Sequence, residues 1–473
     1  MPSESDQTQL DSEQNRICEK TCASLKGQFK GDLLRPSDTG YEEARTIWNG
    51  MFDQRPGLIA RCLDANDVQA AIRIANQAGL LTAVRCGGHS LAGFSTCAGG
   101  LVIDLSRMRE TTVDSGNRRA RVAGGCLLGT IDTATQKAGL VFPAGVVSQT
   151  GAAGLILGGG TGWLTRRFGL SCDNVEGFTL VTSDGSMVRA NAKENEDLFW
   201  ALRGGGGNFG VVTEFELKLH PLISVVLAEG LTPENRIREL LEHWRDFMAS
   251  APLDLKWNVD LRIAPHKQNV PSQLRGRPVA GSSLVWTGAG EAAEPFFQRA
   301  ISFCHPDSVR SRTMSFLDLQ AMADLEFPNG KRYYMKSGYF PSLDDATVDC
   351  LLQGLATISS TETQIEVAYL GGVAGQVAAH ETAFGDRSAP IIVSLLGHWA
   401  NASDDARNVS WVRSLFGKLQ PRMKPGVYVN FMSGDEQDRV PEAYQQRWDR
   451  MVAVKTHYDP GNFFRLNQNV RPR

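Results

Sequence analysis

The stretch Val84-Arg85-Cys86-Gly87-Gly88-His89-Ser90-Leu91-Ala92-Gly93 sets a single imidazole at the end of a glycine loop. Gly87 and Gly88 permit positive φ and close backbone approach, so successive N–H groups can converge on an anion such as a pyrophosphate. His89 then faces whatever that pyrophosphate carries. Two further segments offer groups that move protons. In Tyr428-Val429-Asn430, read as part of a strand over Gly426 to Phe431, two-residue alternation puts Tyr428 and Asn430 on one face. A phenol titrates near pH ~10, so a base role asks for a cationic neighbour, and Lys336 is the candidate. Glu366 lies in a strand, Gln364-Ile365-Glu366-Val367-Ala368-Tyr369, with polar and apolar residues on opposite faces. A carboxyl partly desolvated on such a face has a raised pKa, suited to proton transfer. Asp260 is a third polar strand residue, with a salt bridge as its expected role.

Glycine recurs in Pro143-Ala144-Gly145-Val146-Val147-Ser148-Gln149-Thr150-Gly151 and in Gly154-Leu155-Ile156-Leu157-Gly158-Gly159-Gly160-Thr161-Gly162-Trp163. Arg166-Arg167-Phe168-Gly169-Leu170-Ser171-Cys172-Asp173-Asn174-Val175 follows. None of these is a G-x-G-x-x-G fingerprint with an acidic residue after a second strand, and no G-x-x-x-x-G-K-[ST] occurs. A nicotinamide Rossmann domain and a nucleoside triphosphatase are therefore disfavoured. Histidines lack paired spacing, which argues against a metal site, and G-x-S-x-G is absent.

In this order the three glycine-bearing stretches resemble the flavin domain of the vanillyl-alcohol-oxidase (PCMH-type FAD-binding) superfamily. Within it they are most similar to the berberine-bridge-enzyme-like oxidoreductases, over about Asp32 to Pro472. The resemblance implies an α+β fold. A PCMH-type FAD-binding domain of two subdomains (about 31–108 and 109–220) would follow a polar segment, 1–30. A substrate domain, 221–437, would hold an antiparallel sheet covered by helices, and 438–473 would return to the FAD domain. It also implies FAD bonded through His89 to the 8α-methyl, which needs a neutral imidazole nitrogen beside that methyl. Relatives with a second link place a cysteine after the Pro-x-Gly turn; here the position is Val147, so one covalent link is expected.

The same resemblance assigns the cofactor seat to Arg85, Cys86, Gly87, Gly88, Ser90 and Gly93 around His89. It adds Ser148, Gln149, Thr150, Gly151, Gly154, Gly158, Gly159, Gly160 and Gly162, then Asp173, Asn174, Val211, Tyr428 and Asn467. Thr150 and Leu155 are candidates for the surface where O2 reacts. Tyr428 and Asn430 are the implied catalytic residues, and the strand pattern adds Glu366 to them. The implied activity is oxidation of a small organic alcohol or amine by hydride transfer to N5, with O2 as acceptor and H2O2 as product. Oxidative cyclisation, and a flavin-holding module without turnover, stay open as alternatives.

Bulk properties agree with such a protein. The 473 residues carry a net charge of −3, which offers no basic face for nucleic acid. No apolar run reaches membrane-spanning length. Nine cysteines without zinc spacing read as free thiols in a reducing, cytoplasmic setting. Periodicity predicts strand Gly57–Cys62, helix Asp64–Gly79 and strand Leu80–Val84, a β-α-β unit leading into the histidine loop. Strands are also predicted at Gly100–Leu105, Val175–Thr182, Ser186–Ala190, Glu214–Leu219, Ser282–Trp286, Gln364–Leu370 and Ile391–Leu396. Helices are predicted at Leu127–Gly139 and, continuously, Val440–Asp459.

Overall fold

The computed structural model describes residues 16–473; expectations for 1–15 lie outside the described residues. Three sheets of four or more strands organise the chain, with a two-stranded pair, Leu140–Val141 and His220–Pro221, beside them. The first has strands Asp32–Leu34, Leu58–Arg61, Leu101–Asp104 and Thr82–Arg85 in that spatial order, the last three parallel. Helix Ala65–Gln77 makes the crossover. It starts where Asp64 accepts hydrogen bonds from the Asn66 and Asp67 N–H groups, relieving donors that have no partner within the helix. Val68, Ala71, Ile72 and Ala75 bury its apolar stripe, and Gly79 follows it at φ +65°. The β-α-β unit thus delivers the chain directly to Cys86 and His89. A helix over 16–25, buried through Cys18, Cys22 and Leu25, packs on the same core. That half of the polar N-terminal segment is anchored by a helix.

The second sheet is antiparallel: Thr111–Asp114, Arg119–Ala123, Val211–Lys218, Val175–Val181 and Met187–Asn191. Its core includes helix Glu196–Leu202 and the C-terminal helix Trp448–Tyr458. The tail is pinned by Lys455, whose buried ammonium donates to the Asp459 carboxylate at 2.6 Å and to the Asn208 and Phe464 carbonyls.

The third sheet has seven antiparallel strands, in spatial order Arg310–Ser315, Ser224–Pro233, Pro278–Trp286, Leu255–Ile263, Gln364–Tyr369, Ile391–Trp399 and Arg332–Phe340. Helices Ile237–Met248, Asp345–Ala356 and Asp405–Leu419 share a core with Trp257, Val259, Leu261, Ile365 and Val367. Alternation turns Asn258, Asp260, Gln364 and Glu366 to the opposite face. The chain thus has the α+β architecture expected of a flavin domain joined to a helix-covered antiparallel sheet.

Two expectations change. Gly426 to Phe431 is not a strand: Gly426 has φ +118° and Val429–Phe431 is a single 3₁₀ turn. The helix over Val440–Asp459 is broken, because Gln445 adopts φ +48° between Val440–Tyr444 and Trp448–Tyr458. The apolar stripe survives the break as a stacked pair, Tyr444 on Trp448, 6.2 Å between ring centroids.

Candidate active site

All three sheets contribute to the wall of one cavity of about 500 Å³. Its floor is the loop Cys86–Ala92, its flank Gly145–Val147, Thr150, Gly151 and Ala153–Leu155, and its far end Gly206, Gly207, Val211, Phe464 and Asn467. The roof comes from the third sheet: Asn258, Asp260, Ser283, Gln364 and Glu366, with Tyr428 and Asn430 beside them. The two glycine loops touch backbone to backbone. A Cβ on Gly87 would stand 2.3 Å from the Gly151 nitrogen, so a side chain there would push the loops apart.

His89 stands at that junction. Its ring stacks on Trp48 at 4.9 Å, its Nδ1 lies 3.5 Å from Thr150 Oγ1, and its Nε2 is buried without a partner. Burial pulls its pKa down to about 4, because a charged imidazolium loses hydration there. At neutral pH the ring is therefore uncharged, with a nitrogen lone pair to offer.

Tyr428 precedes the 3₁₀ turn that replaces the expected strand. Its hydroxyl accepts hydrogen bonds from the Gly160 N–H at 2.9 Å and from Asn430 Nδ2 at 3.0 Å. With both acceptor directions used, the phenolic proton is free for a group in the cavity. Burial raises the Tyr428 pKa to about 12, so the resting group is a neutral donor. Lys336 does not assist it: that ammonium lies 3.3 Å from Glu436 and 3.7 Å from Asp435. The Lys336 expectation fails because its partners come from the segment after residue 433, which spacing alone did not place.

Glu366 accepts a hydrogen bond from Asn258 Nδ2 at 3.3 Å. Burial raises its pKa, opposed by the charge of Lys256 and reinforced by that of Asp260. Asp260 forms its expected ion pair with Arg262, 2.8 Å, yet burial still lifts its pKa to about 6.

Of the residues assigned to the cofactor seat, Cys86, Gly87, Gly88, His89, Ser90, Thr150, Gly151, Gly154, Val211, Tyr428 and Asn467 line the cavity, and Leu155 joins them. Others stand behind it. Arg85 binds the Ala44 carbonyl, and Gly93 packs on the Phe52 ring. Gly158 backs onto Asn430, Gly159 onto Phe384, Gly160 donates to Tyr428, and Gly162 lies against Ala144. Asp173 pairs with Arg387 at 2.6 Å, and Asn174 holds the Phe168 and Leu170 carbonyls. These two side chains fasten a turn rather than reach the cavity.

Ser148 and Gln149 also face elsewhere, toward a contact that sequence reasoning missed. Helix Phe316–Ala321 and the turn after it grip the 145–149 loop. Gln320 Nε2 donates to the Gly145 carbonyl at 2.9 Å, and Asp324 accepts from the Ser148 N–H at 2.8 Å and from its hydroxyl. Asn329 donates to Gln149 Oε1. The same Gln320 amide donates to Asp132, which burial holds at a pKa of about 7, up from 3.8. The folded pKa exceeds the unfolded one, so stability falls as pH climbs from the ordinary carboxylate range through about 7. Asp132→Asn cannot ionise. Its melting temperature relative to the parent is expected to climb between about pH 5 and about pH 8 in thermal melts; a constant difference would refute the buried neutral acid.

The residues present suit FAD. The walls from the first two sheets and the tail carry no Asp, Glu, Lys or Arg in the cavity, so an anionic pyrophosphate meets glycine backbone and hydroxyls rather than repelling charge. Buried atoms without partners aim at the same space, among them His89 Nε2, Trp163 Nε1 and Asn467 Oδ1. Such atoms cost free energy unless a ligand satisfies them. Among the described residues no cluster fit for a metal occurs, and no helix is long and apolar enough to cross a membrane.

Comparison with known proteins agrees. Residues 56–191 match the FAD binding domain family and 427–471 the berberine and berberine-like family. The chain is 31% identical over 460 residues to (R)-6-hydroxynicotine oxidase of Paenarthrobacter nicotinovorans, covering 94% of this chain and 97% of that one. It belongs to the berberine-bridge-enzyme-like FAD-linked oxidoreductases. Another member, an FAD-linked oxidoreductase of Dictyostelium discoideum, is 29% identical over 97% of both chains. The solved 6-hydroxy-D-nicotine oxidase of Arthrobacter nicotinovorans superposes with a TM-score of 0.83 at 28% identity, covering 94% of this chain and 98% of that chain. Physcomitrella patens BBE-like 1 shares the fold at 21% identity, with a TM-score of 0.83 over 94% of this chain and 97% of that one. As a berberine-bridge-enzyme-like protein, the chain binds FAD and is an oxidoreductase.

Proposed function

We propose that this oxidoreductase is an oxidase that carries FAD on a single covalent bond from His89 and oxidises a small organic molecule. The observation that carries this reading is the buried, uncharged His89 ring with an unpartnered Nε2 in the cavity wall. Bound FAD supplies the hydride acceptor, and O2 takes the two electrons onward to give H2O2. The chain's own residues do the rest. Glu366, once ionised, takes the proton from the substrate heteroatom. The Tyr428 hydroxyl donates a hydrogen bond to that heteroatom and holds it, while Asn430 and the Gly160 N–H hold the hydroxyl. Thr150 and Leu155 line the flank beside His89 and form the surface where O2 arrives. The nine unpaired thiols support a reducing, cytoplasmic location.

The test is peroxide release in air from a panel of aromatic amines and alcohols. Turnover is expected to rise with pH, its acid limb above the ordinary carboxylate range. The sign follows from Glu366: its pKa is raised, and only the ionised form accepts a proton. Turnover with an artificial acceptor but no O2 consumption would make the protein a dehydrogenase. Silence with both, FAD intact, would leave a binding module.

A further inference from the structure

The ionisable groups of the cavity wall are unevenly placed. Apart from His89 and Tyr428 they are Asp260, Glu326 and Glu366, all on the third sheet or its connecting segments, and no lysine or arginine lines the space. Asp260 and Glu366 are register partners on neighbouring antiparallel strands, so they stand side by side on one face. Like charges directly opposite each other destabilise a sheet; here Arg262 pairs with Asp260 and Asn258 donates to Glu366. Gly281, the other partner of Asp260, has no side chain to intrude; a Cβ there would lie 2.6 Å from Asp260 Oδ1. Two cations lie beside this patch without lining the cavity. The Lys256 ammonium donates to the Tyr369 carbonyl, and Arg262 lies between Asp260 and Glu326. Together they leave an excess of negative charge facing the cavity. Asn258 Oδ1, on the same face, is buried without a hydrogen-bond donor, while Asp260 Oδ2 lies 2.8 Å from Arg262 Nε. Trp163, Phe327 and Phe431 supply apolar surface around this polar patch.

We propose that Asp260 and Glu366 form a subsite for a protonated amine, so that the substrate is a cationic organic amine with an aromatic or apolar body. The ammonium N–H groups meet the two carboxylates and the unpartnered Asn258 Oδ1, and its charge offsets the excess of negative charge on this wall. Charge-assisted bonds of this kind are stronger than neutral ones and favour the matching partner over an uncharged isostere. The inference rests on reading this cavity as the substrate site of the oxidase.

Anaerobic isothermal titration of the flavin-loaded protein with benzylamine, benzyl alcohol and benzoate tests it. Benzylamine is expected to bind about tenfold more tightly than benzyl alcohol, with benzoate weakest. Asp260→Asn should bring amine and alcohol together, and Glu366→Gln provides the same comparison if the first variant does not fold. Equal affinities in the parent protein, tighter benzoate, or a preference for the amine that survives substitution would each overturn the subsite. The heat of binding needs no turnover. An amine preference without peroxide would therefore sink the oxidase reading alone, and peroxide without the preference would sink the subsite alone.

Discussion

His89→Ala is expected to detach the flavin from the polypeptide. Acid precipitation of the variant should leave a colourless pellet and a yellow supernatant, and the intact mass should fall by one FAD relative to the parent. No other side chain on the glycine loops can replace the bond. Val147 offers no nucleophile. The Cys86 thiol donates to the Cys126 carbonyl, and burial raises its pKa to about 12, so no thiolate forms at neutral pH. The fold should survive. Losing the ring removes its stack on Trp48, worth about 0.5–1.5 kcal/mol, against a typical stability of roughly 5–15 kcal/mol. A variant still heavier by one FAD would refute the single imidazole link.

Tyr428→Phe should lower the rate of anaerobic flavin reduction by about 10²–10³-fold, the usual cost of deleting one donor aimed at the reacting group. In the proposed mechanism the neutral phenol donates rather than abstracts, so the pH profile of the residual activity should keep the acid limb set by Glu366. Stability should fall as well. The buried Gly160 N–H loses its only hydroxyl partner, and a buried unsatisfied donor costs about 1–3 kcal/mol. Stopped-flow bleaching of the flavin and a thermal melt separate the two effects. A rate within about twofold of the parent would reduce Tyr428 to an aromatic filling the space beside Phe384 and Phe431.

Much of the frame was legible because it is local. The contrast between helical spacing over Ala65–Gln77 and the apolar strands around it reports burial directly, and it led straight to His89. The alternation of Gln364, Glu366 and Ala368 against Ile365 and Val367 separated the cavity face from the helix-covered face for the same reason. Tyr428 and Asn430 came together for a reason the alternation did not contain. Val427 to Phe431 has strand-like composition, but Gly426 at φ +118° turns the chain, and the hydroxyl docks on Gly160 instead of a neighbouring strand. Lys336, Gln320, Asp324 and the Asp260–Glu366 register depend on contacts between residues roughly a hundred or more positions apart, or on strand order. A single sequence carries no local mark of either.

The grip of Gln320 and Asp324 on the 145–149 loop bears on how such enzymes diversify. The 145–149 loop and the half that carries the third sheet are not separable modules, because Gln320 and Asp324 of one hold the backbone of the other. A chimera that grafts a foreign substrate half onto this flavin half would leave the Gly145 carbonyl and the Ser148 amide without their partners. New specificities would therefore arise more readily by changing the roof, at Asn258, Asp260 or Gln364, than by exchanging the half that carries it.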